Sequence, residues 1–148
     1  MAPDPMSAAF EEARAAGARG EVPVGAAIAQ GGVIIASAGN RTLADNDPTA
    51  HAEILAIRAA GAALGSQRLA DCDLYVTLEP CAMCAGAISF ARLRRLYYAA
   101  SDAKGGAVEH GPRFFTQPTC HHAPDVYGGI RESEAAALLR AFFEARRN

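Results

Sequence analysis

Two short stretches constrain this chain more than anything else in it: Pro48-Thr49-Ala50-His51-Ala52-Glu53 and Glu79-Pro80-Cys81-Ala82-Met83-Cys84. They read H-x-E, then P-C-x-x-C. Zinc favours thiolates with an imidazole, and a catalytic zinc keeps one tetrahedral position open for water. His51, Cys81 and Cys84 supply three such ligands. Cysteines three apart in a first helical turn face the same way, and helix-end N–H groups lower a thiol's pKa, which favours thiolate ligation. Glu53 lies two residues after His51, placed to lean over the water and move protons rather than to bind metal. A lone C-x-x-C fits redox or structural roles as well, and H-x-E alone carries almost no information. The two in this order, each opening a helix, with Pro80 directly before Cys81, form a specific signal. The competing reading is a structural site closed by a fourth protein ligand. Cys72 is awkward in that role, because it precedes a strand running away from the helix start. Cys120 stays open.

A chain of 148 residues suits one domain with one substantial core. At 51% apolar and 20% charged it has an ordinary globular balance. No apolar run approaches the length of a bilayer crossing. The N-terminus lacks a basic region followed by an apolar core, so no signal peptide is predicted. With two of its four cysteines committed to metal, the chain is not a disulfide framework, which fits a reducing cytoplasm. The net charge of −2 does not advertise nucleic-acid binding, but its distribution is uneven. Residues 1–91 carry 5 Lys+Arg against 10 Asp+Glu, and residues 92–148 carry 9 against 6. A basic half can touch phosphates or can simply be a solvated surface.

Periodicity places the motifs. Residues 1–6 read as disordered or as a misassigned start, with Met6 an alternative to Met1, and the domain runs over 7–148. Ser7 is a candidate N-cap for a helix to about Ala18. Val22–Ala29 and Val33–Ala38 read as a hairpin turning at Gln30-Gly31-Gly32. Gly25 leaves room for something to approach the backbone. A polar loop from Asn40 leads to an alanine-rich helix, opened by Pro48 or Thr49 and running to about Leu64. His51 sits in its first turn, where the positive helix end favours a neutral imidazole. Leu74–Leu78, the helix from Cys81 to about Phe90, and Leu93–Ala99 form a β-α-β unit. The small residues Ala82, Ala85, Gly86 and Ala87 allow that helix to pack closely on the sheet or on another subunit. Residues 101–125 form a long loop pinned by Phe114 and Phe115, of the kind that serves as a lid or binding surface. His110 and Cys120-His121-His122 have no role readable from sequence. Val126-Tyr127 suits a short edge strand, and Glu132–Arg146 a last helix with Leu138, Leu139, Phe142 and Phe143 as its apolar stripe.

The motifs resemble those of the cytidine-deaminase-like superfamily, whose base deaminases carry H-x-E…P-C-x-x-C with the glutamate as general acid and base. Within it the chain is similar to the bacterial tRNA-specific adenosine deaminases. The resemblance rests on Glu21-Val22-Pro23-Val24-Gly25-Ala26, Asn40-Arg41, residues 47–53, residues 75–86, Asp102-Ala103-Lys104-Gly105-Gly106 and the Phe142-Phe143 helix. It covers nearly the whole chain after Met6.

The resemblance implies a three-layer α/β/α sandwich with a mixed five-stranded sheet. It implies one Zn2+ per subunit and a homodimer whose subunits help line each other's sites. The implied reaction is hydrolytic conversion of the wobble adenosine to inosine in the anticodon loop of an arginine tRNA. Asn40 would hold the target nucleotide, Asp102 would lie near the preceding sugar, and Phe142, Phe143, Arg146 and Arg147 would meet the anticodon loop. The backbone N–H groups of Ala52 and Cys81, at helix starts, are candidates to steady the tetrahedral adduct. The chain departs from familiar members at Ala107-Val108-Glu109-His110, at Pro118–His122 and at Asn46, all on loops of the RNA side. Guanine deaminases also carry Pro-Thr-Ala-His-Ala-Glu. A free-base or nucleoside deaminase acting on guanine, cytosine or cytidine is therefore the alternative function, and a non-catalytic RNA-binding zinc protein a third.

Overall fold

The computed structural model describes residues 4–147. Strand alternation builds its architecture. β1 (Gly25–Gln30) turns Ala26 and Ile28 toward one core and Ala27 toward the other. β3 (Cys72–Leu78) divides Leu74 and Val76 from Tyr75, and β4 (Arg95–Ala100) divides Leu96 and Tyr98 from Tyr97 and Ala99. Strands apolar on both sides require a sheet covered on both faces. One cover is α1 (Pro5–Ala18) with α4 (Glu132–Arg147), contributing Met6, Ala9, Phe10 and Ala135. The other is α2 (Ala52–Leu64) with α3 (Ala82–Ala91), contributing Ala52, Ala56, Ala60, Ile88 and Ala91. With β2 (Val33–Gly39) and β5 (Asp125–Tyr127), the sheet has five strands in the order β2-β1-β3-β4-β5. β1 pairs antiparallel with β2 and β3, whereas β3–β4 and β4–β5 are parallel. This is the expected three-layer mixed-sheet sandwich, and β3-α3-β4 is the expected parallel crossover.

Several boundaries move. Asp4, not Ser7, caps α1: its Oδ2 accepts from the Ser7 N–H and hydroxyl, each at 3.2 Å, and Pro5 opens the helix. The expectation that residues 1–6 lie outside the ordered domain therefore fails for residues 4–6. Met6 is 2% exposed and belongs with Ala9, Phe10, Ala13 and Ala16 to one buried stripe at helical spacing. Residues 1–3 lie outside the described residues. β1 begins at Gly25 rather than Val22, because the Val24 N–H donates to Val22 O in a local turn. What approaches Gly25 is α1: a Cβ there would overlap Ala9 O, and one at its strand partner Gly39 would lie 2.6 Å from Glu12 O. The long loop is pinned as expected, with Phe115 packed on the α2–α3 core and Phe114 in a short 3-10 turn beside α3.

Candidate active site

The two motifs meet because both helices start at one place. His51 is the N-cap of α2 and Cys81 the N-cap of α3, and neither side chain caps its own helix, so both are available as ligands. Cys84 follows in the first turn of α3 and is fully buried. His51 Nδ1 lies 3.6 Å from Cys81 Sγ and 3.5 Å from Cys84 Sγ. Bonds of about 2.3 Å to sulfur and about 2.0–2.1 Å to nitrogen in a tetrahedron put nitrogen and sulfur roughly 3.5–3.6 Å apart, so the cluster fits zinc. Among the described residues no other histidine, cysteine or carboxylate joins this group, and all three ligand atoms lie within 4.8 Å of one another. Cys72 sits within β3, and the Cys120 sulfur lies 3.6 Å from Ser89 Oγ, away from the cluster. The fourth position is left open.

Protons and sulfurs are strongly coupled here. The Cys81 thiol is held down to about 4, chiefly by its hydrogen bond with Cys84; burial opposes this and His51 adds to it. The same contact with Cys81, together with burial, pushes the Cys84 thiol far up. His51 is raised, first by its hydrogen bond with Cys81, with burial opposing and the Cys81 and Glu53 charges adding to it. Zinc takes both sulfurs as thiolates, and binding therefore releases protons.

Glu53, 4% exposed, is pushed up to about 7, chiefly by burial. It lines a cavity of about 260 Å³ together with His51, Cys81, Asn40, Glu79 and Asp102. Asn40 does more than line it: its Oδ1 accepts from the Ala52 N–H at 2.8 Å, and its Nδ2 donates to Val22 O at 3.1 Å. That bond corrects one expectation, since the Ala52 N–H is occupied by Asn40 and is not free for an adduct.

A second cavity, of about 700 Å³, shares Val22, Leu78 and Asp102 with the first and continues past Lys104 to Phe143 and Arg146 on α4. Phe143 is exposed, and Phe142 crosses it edge-on at 5.4 Å between ring centroids. Phe142, however, faces a different cleft with Arg14, Gly17 and Pro23, and the Arg146 guanidinium lies 3.5 Å above its ring centre. Neighbours in a helix point about 100° apart, so one phenylalanine reaches the cavity and the other anchors the arginine. The Arg147 side chain lies outside the described residues.

Two buried carboxylates escaped the sequence reading as functional elements. Glu21 accepts from Leu43 and Ala44 N–H and the Thr42 hydroxyl, and so holds the loop that leads to His51. Glu79 accepts from the N–H of Asp102, Val108, Glu109 and His110 and from His110 Nδ1. Burial would raise both carboxyls, yet these donors win and hold each below the ordinary value of 4.5. Cys120 and His122 are ties of the long loop: the Cys120 thiol donates to His122 O, and His122 Nε2 meets Leu93 O at 2.7 Å. His121 O accepts from Arg92.

The model of the cytidine and deoxycytidylate deaminase zinc-binding region matches residues 3–100. The tRNA-specific adenosine deaminase of Agrobacterium fabrum is 65% identical over 142 residues, spanning 96% of this chain and 93% of the relative. A solved structure from work on A-to-I editing by tRNA:A34 deaminases at the wobble position of transfer RNA superposes with a TM-score of 0.90 at 65% identity, covering 91% of this chain and 98% of that one. Guanine deaminase from Nitrosomonas europaea superposes with a TM-score of 0.80 at 30% identity, over 96% and 85% of the two chains. With its zinc-binding motifs closed into one site and its similarity to the Agrobacterium relative spanning 96% of its length, the chain belongs to the tRNA-specific adenosine deaminase family, within the wider group that shares the cytidine and deoxycytidylate deaminase zinc-binding region.

Proposed function

We propose that this protein removes the exocyclic amine from the wobble adenosine in a tRNA anticodon loop, giving inosine and ammonia. One observation carries the choice of RNA over a free base. The cavity over Glu53 shares Val22, Leu78 and Asp102 with the larger one, which is lined also by Lys104, Phe143 and Arg146. A free base fills only the inner cavity. A looped RNA also needs a place for the flanking nucleotide, with an aromatic face to stack on and cations for phosphate. The chain's similarity to the Agrobacterium relative supports the same reading.

Zinc, held by His51, Cys81 and Cys84, supplies a Lewis acid that lowers the pKa of water toward neutrality. Glu53 takes a proton from the attacking water and passes it to the ring nitrogen next to the reacting carbon. It then delivers the second water proton to the departing amine, so one water is consumed and one ammonia leaves. A carboxyl poised near neutrality suits such two-way transfer. Asn40 holds the start of α2 and keeps a second Nδ2–H for the base. The Cys81 N–H, at the start of α3 beside the cavity, is the remaining backbone donor to steady the developing charge. Asp102 contacts the sugar of the preceding nucleotide. Phe143 and Arg146 meet the loop, with Phe142 holding Arg146 from behind.

The exposed apolar side chains of Met83 and Phe90 on α3 provide the face on which two copies pair. A homodimer acting in the cytoplasm, where tRNA is available, completes the proposal. Among the described residues no helix is long and apolar enough to cross a membrane.

The test is ammonia release from an anticodon stem-loop with a wobble adenosine, run beside guanine, cytosine and cytidine. A gain of about one dalton at that adenosine, with the free bases untouched, is the expected result. Fast turnover of guanine or cytosine with silent RNA would assign the site to the free-base branch.

A further inference from the structure

We propose that Glu79 is a positioning residue that sets substrate affinity by fixing Asp102 at the junction of the two cavities. Its side chain is fully buried, behind the rim that it shares with Asp102 at the inner cavity. Oε1 accepts from the Asp102 N–H at 2.9 Å and from His110 Nδ1 at 2.8 Å. Oε2 accepts from the N–H groups of Val108, Glu109 and His110 at 3.1, 2.9 and 3.1 Å. A carboxylate only accepts, so His110 Nδ1 carries the proton in this contact. Both ends of segment 102–110 are thus tied to one buried anion.

The segment between them is shaped to admit that anion. A Cβ at Gly106 would overlap the Glu79 carboxylate, so only glycine allows the chain to close over it. The Gly106 N–H donates to Asp102 O at 2.9 Å. Asp102 Oδ1 accepts from Lys104 and Gly105 N–H at 3.1 and 3.0 Å, which fixes the rotamer and leaves Oδ2 for the cavity. Glu79 is also two residues from Cys81 along the chain. One side chain therefore ties the recognition loop in register with the metal-binding helix, which explains how a glycine-rich loop presents a carboxylate at a defined place. No reacting atom is touched, so the effect falls on binding.

This inference rests on the proposed role of Asp102 in RNA recognition, and its test separates the two. Glu79→Gln keeps the shape but puts an N–H2 donor against N–H donors. With the anticodon stem-loop as substrate and zinc content checked, KM should rise roughly ten-fold while kcat changes less than about three-fold. In a cycle with Asp102→Ala, the double variant should be no worse than Asp102→Ala alone. Losses that multiply, or a fall in kcat at constant KM, overturn the proposal. If Glu79→Gln fails to hold zinc or to fold, Gly106→Ala attacks the same contact from the loop side and should show the same KM rise and the same coupling; an independent loss refutes it. Should the native protein turn over no RNA, the proposed function fails, and hydrogen exchange decides the positioning itself. Amides of Val108, Glu109 and His110 should then lose protection at least about ten-fold in Glu79→Gln while those of β3 keep theirs; unchanged protection overturns it.

Discussion

Glu53 and Glu79 are the same side chain in nearly the same place, yet they are opposites. Each lies two residues from a metal ligand, Glu53 after His51 and Glu79 before Cys81, and each is almost fully buried. Burial pushes Glu53 up to about 7. Glu79 has the Asp102, Val108, Glu109 and His110 donors aimed at it, which outweigh burial and keep it an anion. Burial dominates at Glu53, whereas at Glu79 the supply of donors overrides it. A carboxyl with few partners near neutrality can give and take protons. A carboxylate surrounded by N–H groups cannot, and acts as a fixed anchor.

The sharpest break would come at Glu53. Glu53→Gln should lower turnover by about 10²–10⁴ while metal analysis still finds zinc; activity within ten-fold of native would make Glu53 a second anchor. Glu21 extends the anchored class to a site away from the metal. Glu21→Gln should lower the Tm by on the order of 5 °C at neutral pH, read by thermal melts. Because the folded value of Glu21 lies below 4.5, its contribution is fully present above 4.5 and is lost as pH falls through the folded value. The melting curves of Glu21→Gln and native protein should therefore converge in acid, and a constant gap would remove Glu21 from the class. Smallest is the effect at Tyr98, a buried group with no partner for its hydroxyl among the described residues. Tyr98→Phe should leave stability within about 1 kcal/mol of native or raise it. A larger loss in denaturant titrations would reveal a partner such as bound water.

The metal site was legible because its information is local. Ligand identity and spacing in His51, Cys81 and Cys84 carry the geometry, and helix starts do the rest. The Glu79 anchor was not, because its partners are mostly main-chain N–H groups, and an amide has no letter of its own; only the glycine at 106 hints at it. Strand limits failed at Val22–Val24 because apolar content does not distinguish a ladder from a turn that lines a cavity. The start of α1 was readable but passed over: Met6, Ala9, Phe10, Ala13 and Ala16 already spell a buried helical stripe, which two prolines disguised. Phe142 and Phe143 look equivalent in sequence, and only the rotation of α4 separates the anchor from the cavity wall.

The grip of Glu79 on main chain has a consequence for redesign. Ala103, Lys104 and Glu109 are exposed on a segment whose path is set by other atoms. Their side chains form a cassette in which a combinatorial library could alter sequence preference while leaving the zinc chemistry and the folding yield alone. Gly106 and Glu79 would be the two letters such a library must never randomise.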